Sequence, residues 1–175
     1  MKVIFLDVDG VLNSEDDLMV YREKNNITGC ILYDAVEDRP LKLLKQLVDK
    51  SGAKIVLSSS WRYGHAKLID KDIFGGRLYQ KITERLKNYE MEIYDVTPRL
   101  HESDKHRGDE IRDWMKNSKE TIESFVILDD DSDMCEFTET NLIKTTYKSG
   151  LTQEHVDKAL EILKIKKDIT QYTIF

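Results

Sequence analysis

Two aspartates, Asp7 and Asp9, close the apolar run Val3–Leu6 and are followed at once by Gly10. A second apolar run, Ile55–Leu57, ends in Ser58, Ser59 and Ser60. A third, Phe125–Leu128, ends in Asp129, Asp130 and Asp131, with Asp133 just beyond. Unbroken apolar runs of this kind belong to strands buried on both faces. If the strands are neighbours, their ends gather several carboxylates and hydroxyls in one small volume. Like charges so close raise one another's pKa, and desolvation adds to the cost. A bound cation reverses that cost, and hard oxygen donors in this number suit Mg²⁺. Capping of turns and helices accounts for Asp16, Asp17, Asp131 and Asp133. It accounts poorly for Asp7, Asp9 and Asp130, which follow two buried strands in the same way.

The elements that must position these residues alternate between strand and helix. The stretch 38–50 carries Leu41, Leu44, Leu47 and Val48 on one helical stripe, with Gly52 at the C-cap position. "GRLYQKITERLKNY" predicts a helix with Leu78, Ile82 and Leu86 on one face, and "MEIYDV" a strand closed by Thr97 and Pro98. "RGDEIRDWMKN" predicts a helix with Ile111, Trp114 and Met115 inward. "NLIKTTY" offers a last strand, and "TQEHVDKALEILK" a last helix with Thr152 as N-cap. Such alternation predicts an α/β, Rossmann-like three-layer sandwich around a central parallel sheet. The polar segment 14–36 breaks the pattern. It is expected to be a loop or small hairpin, a flap inserted after the first strand of a single domain spanning 1–175.

Composition excludes several classes. The 175 residues are 40% hydrophobic and 34% charged, an ordinary globular balance. No apolar run approaches the ~20 residues a bilayer requires, so no membrane partner is expected. The N-terminal residues enter a strand pattern with no h-region, so no secretory signal is expected. Cys30 and Cys135 are then free thiols of a reducing compartment, the cytoplasm. A net charge of −6 argues against gripping nucleic acid over the whole surface. Lys164, Lys166 and Lys167 read as a solvated helix end. The histidines show no zinc spacing.

A metal beside a carboxylate nucleophile suggests phosphoryl transfer. An aspartate can attack phosphorus and form an aspartyl-phosphate, dividing one difficult step into two. A second aspartate can protonate the leaving oxygen and then activate water. "FLDVDGVLN" resembles motif I of the haloacid dehalogenase (HAD) superfamily of phosphatases, "KIVLSSSWR" its motif II, and "FVILDDDSD" its motif IV. The three motifs stand in the family's order. "SSSWR", "RGDEI" and "LDDDSDM" with the later "GLT" resemble a narrower group, the small HAD-like domains associated with RNA-repair proteins.

That resemblance implies a Mg²⁺-dependent phosphohydrolase whose substrate is a phosphorylated small molecule or a nucleic-acid end. It makes Asp7 the nucleophile and Asp9 the general acid/base, with the Asp9 main-chain carbonyl on the metal. Ser58 would bind the transferred phosphoryl group, assisted by Ser59. Asp7 and Asp130 would also bind the metal, and Asp129 would serve it by orienting the basic residue or a metal-bound water. The motif III cation is open between Arg107, at the helix start, and Lys105, the more usual residue type. Arg62 either reaches substrate phosphate or forms a surface salt bridge. One of the three serines can instead cap a helix opening at Trp61, and Trp61 itself reads as a packing residue. The small flap implies an open site suited to large substrates. The competing readings are a non-catalytic or regulatory HAD-like binding domain, and a receiver-type signalling domain, against which a DxD on the first strand argues.

Overall fold

The computed structural model describes residues 1–28, 35–68, 73–100 and 106–164, without the side chains of 73–75. Cys30, Lys105, Lys166 and Lys167 therefore lie outside the described residues. Strands β1 (Lys2–Leu6), β2 (Lys54–Leu57), β3 (Ile93–Val96), β4 (Ser124–Asp129) and β5 (Leu142–Lys144) form one all-parallel sheet. Their order is β3-β2-β1-β4-β5. The chain steps outward from β1 to β2 and β3, then returns to the far side of β1 for β4 and β5. The order therefore reverses between β1 and β4, whose register sets Leu6 opposite Leu128. In open parallel sheets the crevice beyond the carboxyl ends at such a point is where ligands bind.

Side-chain alternation divides the core between the two faces of the sheet. Ile4, Leu6, Ile55, Leu57, Val126 and Leu128 belong to one cluster. It is covered by α2 (Asp38–Ser51) through Leu41, Leu44 and Leu47, α3 (Ile73–Lys87) through Ile82 and Leu86, and α5 (Gln153–Lys164) through Val156, Ala159 and Leu163. Val3, Phe5, Val56, Phe125 and Ile127 face the other way, against Ile111, Trp114 and Met115 of α4 (Arg107–Asn117). Phe5 meets Trp114 and Phe125 edge to face, the arrangement aromatic quadrupoles favour. Three layers result, as the alternation of elements predicts. Among the described residues no helix is long and apolar enough to cross a membrane.

The segment after motif I corrects one expectation. In place of a loop or hairpin it opens with a helix, α1 (Glu15–Lys24). The Ser14 hydroxyl accepts from Asp17 N at 3.2 Å and caps the helix. Glu15, Asp16 and Asp17 occupy the first turn and Arg22 and Lys24 the last, which suits the helix dipole. The helix shows no apolar stripe, so periodicity could not reveal it. It is tied down by charge instead. Arg39 grips the buried Asp17 with two nitrogens, at 2.8 and 2.7 Å, and donates onward to the carbonyls of Leu151 and Ser149.

Candidate active site

The first strand delivers Asp7 to the crevice because Asp7 N still donates to Leu128 O, 2.9 Å away, one residue past the strand. The chain then turns sharply. Gly10 adopts φ +69°, and a Cβ there would stand 2.4 Å from Asp130 Cγ. A side chain would thus exclude Asp130 from its position, and the left-handed backbone itself disfavours any other residue. The turn is pinned from outside by the Thr145 hydroxyl, which donates to Gly10 O at 2.7 Å, and by Leu151 N, which donates to Val11 O at 2.9 Å.

Carboxylate oxygens of Asp7, Asp129 and Asp130 all lie within 4.8 Å of one another. Asp7 and Asp129 are 5% and 1% exposed, so water does little to separate their charges. Burial, with the Asp9 and Asp130 charges adding, pushes Asp7 up to about 6 against the pull of Arg107. Burial and the Asp7 charge push Asp129 up to about 8. Asp130 is raised as well, by burial first and then by Asp131 and Asp9. Asp129 Oδ1 accepts from Asp131 N at 2.9 Å, while Asp129 Oδ2 is buried without a hydrogen bond. A cluster short of positive charge, with an orphaned carboxylate oxygen, is the donor set a hard divalent cation fits.

Among the described residues, the cation at the site is Arg107, first residue of α4. Its guanidinium donates to Asp7 Oδ1 at 3.0 Å and to Ser58 O at 2.7 Å, and its Nε stands 3.4 Å from Asp129 Oδ2. Burial works against its charge, but Asp7, Asp129 and Asp133 outweigh that and hold it firmly protonated. Asp133 Oδ2 accepts from Arg107 N at 3.1 Å and so caps the helix that carries the guanidinium. Gly108 lets the helix start close in, since a Cβ there would stand 2.5 Å from the Met134 carbonyl carbon.

Ser58 and Ser59 are both fully buried. The Ser59 hydroxyl stands near enough to the Asp7 carboxylate to favour its charged form, and it accepts from Trp61 N at 3.4 Å, capping a 3₁₀ turn over Ser60–Gly64. Ser59 is thus both the cap and the neighbour of Asp7. Among the described residues the Ser58 hydroxyl has no hydrogen-bond partner, although its main-chain oxygen accepts from both Arg62 and Arg107. An unpartnered buried hydroxyl at a strand end is uncommon and signals a missing ligand or a strain reservoir.

Arg62 is not at the surface. It is 1% exposed, and its guanidinium donates to the carbonyls of Ser58, Ser59, Thr97 and Pro98 and to Glu110 Oε2 at 2.5 Å. The sequence leaves Arg62 open between a substrate contact and a surface salt bridge; the structure places it in a buried ion pair with every guanidinium nitrogen engaged by the protein. The side chain ties the ends of β2 and β3 to α4.

Asp9 is near enough for its charge to act on Asp7 and Asp130, but its carboxylate has donors of its own. Its Oδ1 accepts from Asn13 Nδ2 at 2.8 Å and its Oδ2 from Trp61 Nε1 at 2.9 Å. These two donors were not foreseen. Trp61 reads as a packing residue because its target lies 52 positions away, and Asn13 carries no motif signal of its own.

No curated protein sequence matches the chain. Residues 3–156 match the model of the HAD domain in Swiss Army Knife RNA repair proteins, and the chain belongs to that family.

Proposed function

We propose that this HAD domain is a Mg²⁺-dependent phosphomonoesterase that works through an aspartyl-phosphate on Asp7, with a nucleotide or a polynucleotide end as substrate. The observation that carries the reading is the arrangement around Asp7. One buried carboxylate is flanked by a guanidinium and a hydroxyl, by two further carboxylates, and by a separately held Asp9. Membership in a family named for RNA repair supports the choice of substrate class.

Asp7, Asp129 and Asp130 would hold the metal, together with the Asp9 main-chain carbonyl that the family resemblance implies. Bound there, Mg²⁺ neutralises phosphoryl oxygens and allows two anions to meet. Asp7 attacks phosphorus as the ester P–O bond breaks. Asp9, protonated, gives its proton to the departing alcohol oxygen. Asp9, now ionised, takes a proton from water as that water attacks phosphorus, releasing inorganic phosphate and the Asp7 carboxylate. Arg107 pairs with the nucleophile at rest and offers charge-assisted donors to the phosphoryl oxygens as negative charge moves onto them. Ser58 and Ser59 supply hydroxyls beside the same point. Arg62 acts at one remove, holding the Ser58–Ser59 turn against α4.

The test is phosphate release from p-nitrophenyl phosphate and from 3′- and 5′-phosphorylated oligonucleotides, with and without Mg²⁺. We expect metal-dependent turnover that Asp7→Asn abolishes. Turnover that survives Asp7→Asn would overturn the mechanism. Oligonucleotide binding with no release by the wild-type protein would favour a binding domain instead.

A further inference from the structure

Both oxygens of Asp9 are taken by neutral N–H donors, Asn13 on Oδ1 and Trp61 on Oδ2. Neither donor can be reversed. The Asn13 amide is oriented by Gly10 N, which donates to Asn13 Oδ1 at 3.2 Å, so the NH₂ end must face Asp9. An indole nitrogen donates only. Neither donor has room to move, because Asn13 is 1% and Trp61 2% exposed. The turn that carries Trp61 is capped by Ser59, whose hydroxyl lies beside Asp7. One short segment therefore sets both aspartates. An ionised carboxylate has about four lone-pair sites, so each oxygen keeps one free for a proton.

We infer that Asn13 and Trp61 are positioning residues that hold the Asp9 carboxylate for proton transfer to the leaving oxygen. They also keep it from turning into the Asp7–Asp129–Asp130 group. Neutral donors suit this task, since a guanidinium in their place would add a charge to the carboxylate that must give and take the proton. The inference rests on the phosphohydrolase reading above. It makes a specific demand. Losing either donor harms substrates whose leaving oxygen must be protonated as the P–O bond breaks. In kcat/KM, which covers the steps up to departure of the leaving group, it spares substrates whose leaving group departs as a stable anion; the later attack of water, which also uses Asp9, enters kcat for both. A loss of general structure would harm both alike.

The experiment compares kcat/KM for benzyl phosphate, which leaves as an alcohol, and p-nitrophenyl phosphate, which leaves as a nitrophenolate. The proteins are wild type, Trp61→Phe and Asn13→Ala. We expect benzyl phosphate to lose on the order of tenfold to a hundredfold while p-nitrophenyl phosphate loses less than about threefold. Equal losses on the two esters would overturn the assignment. A second readout needs no turnover. The protein has two tryptophans, so its amide NMR spectrum holds two indole N–H resonances, assigned through Trp61→Phe. Asp9→Asn should shift the Trp61 resonance and leave that of Trp114 in place; an unmoved Trp61 resonance overturns the hydrogen bond itself. If wild type releases phosphate from neither ester nor from 3′- or 5′-phosphorylated oligonucleotides while the Trp61 resonance does shift, the phosphohydrolase reading fails and the proton-transfer role with it. The brace on Asp9 would then stand as a fact of the fold alone.

Discussion

The strand-end centre and helix α1 use the same residue types to opposite ends. In α1 each acid of the first turn has found a cation: Asp17 has Arg39, and Glu15 and Asp16 share Lys148. Lys24 in the last turn pairs with Glu37. At the strand ends, Asp7 and Asp129 share the guanidinium of Arg107, the one cation paired with them among the described residues, Asp130 stands beside them, and burial of Asp7 and Asp129 removes the water that would otherwise screen them. Paired charges fasten a polar segment onto a fold. Charges left short of partners in a buried crevice hold free energy that a ligand can release. Perturbed carboxylates of that second kind concentrate at functional sites.

The difference can be broken first at the nucleophile. Asp7→Asn keeps the shape of the centre and removes the attacking oxygen's charge, so turnover should fall at least about a thousandfold in initial-rate assays of phosphate release. Removing the Arg107 cation comes next. Arg107→Ala should cost about a hundredfold in kcat/KM, and Arg107→Lys should recover part of it, because an ammonium restores the charge without the forked geometry.

Stability should separate the regions by sign. Asp129 and Asp7 titrate near 8 and 6 in the metal-free fold, above their unfolded values near 3.8. Raised carboxyls favour the folded state when protonated, so that contribution is complete below about pH 4 and is lost as pH rises through 6 and 8. Metal-free protein should therefore lose thermal stability between pH 5 and pH 8, and Mg²⁺ should restore more at pH 8 than at pH 5. His65 and His155, held below the usual imidazole range by burial, act the other way at the acid end. The informative quantity is thus the difference between wild type and Asp129→Asn. The variant should melt higher than wild type at pH 8 without metal and should gain less from Mg²⁺. The smallest effect belongs to α1. Arg39→Ala should destabilise by about 1–2 kcal/mol in chemical denaturation, a modest figure because Arg39 is 45% exposed and water screens the pair. Its kcat should not change.

How much of this was legible in the sequence follows from where each interaction is made. Strands β1, β2 and β4 could be read because their apolar runs stop dead at polar residues, and the parallel sheet then brings those stops together. Helix α4 could be read because Ile111, Trp114 and Met115 form a stripe, and its first residue, Arg107, reaches the crevice. Helix α1 could not, because its stability comes from a cap and ion pairs. Arg62 could not, because its partners are mostly main-chain carbonyls, which leave no trace in side-chain type. The donors to Asp9 could not, because one acts through a nearby turn and the other across two strands.

The central claim is that Asp7 carries the phosphoryl group. The most direct measurement is an acid quench after mixing the protein with ³²P-labelled substrate and Mg²⁺, with one portion peptide-mapped for the label and a second reduced with borohydride, which expels the phosphate, before mapping. Acid-stable label on the peptide that contains Asp7, conversion of that residue to homoserine by borohydride, and no label on Asp7→Asn are the predicted results. Turnover with label on another residue, or turnover with none on the protein at any quench time, would contradict the account.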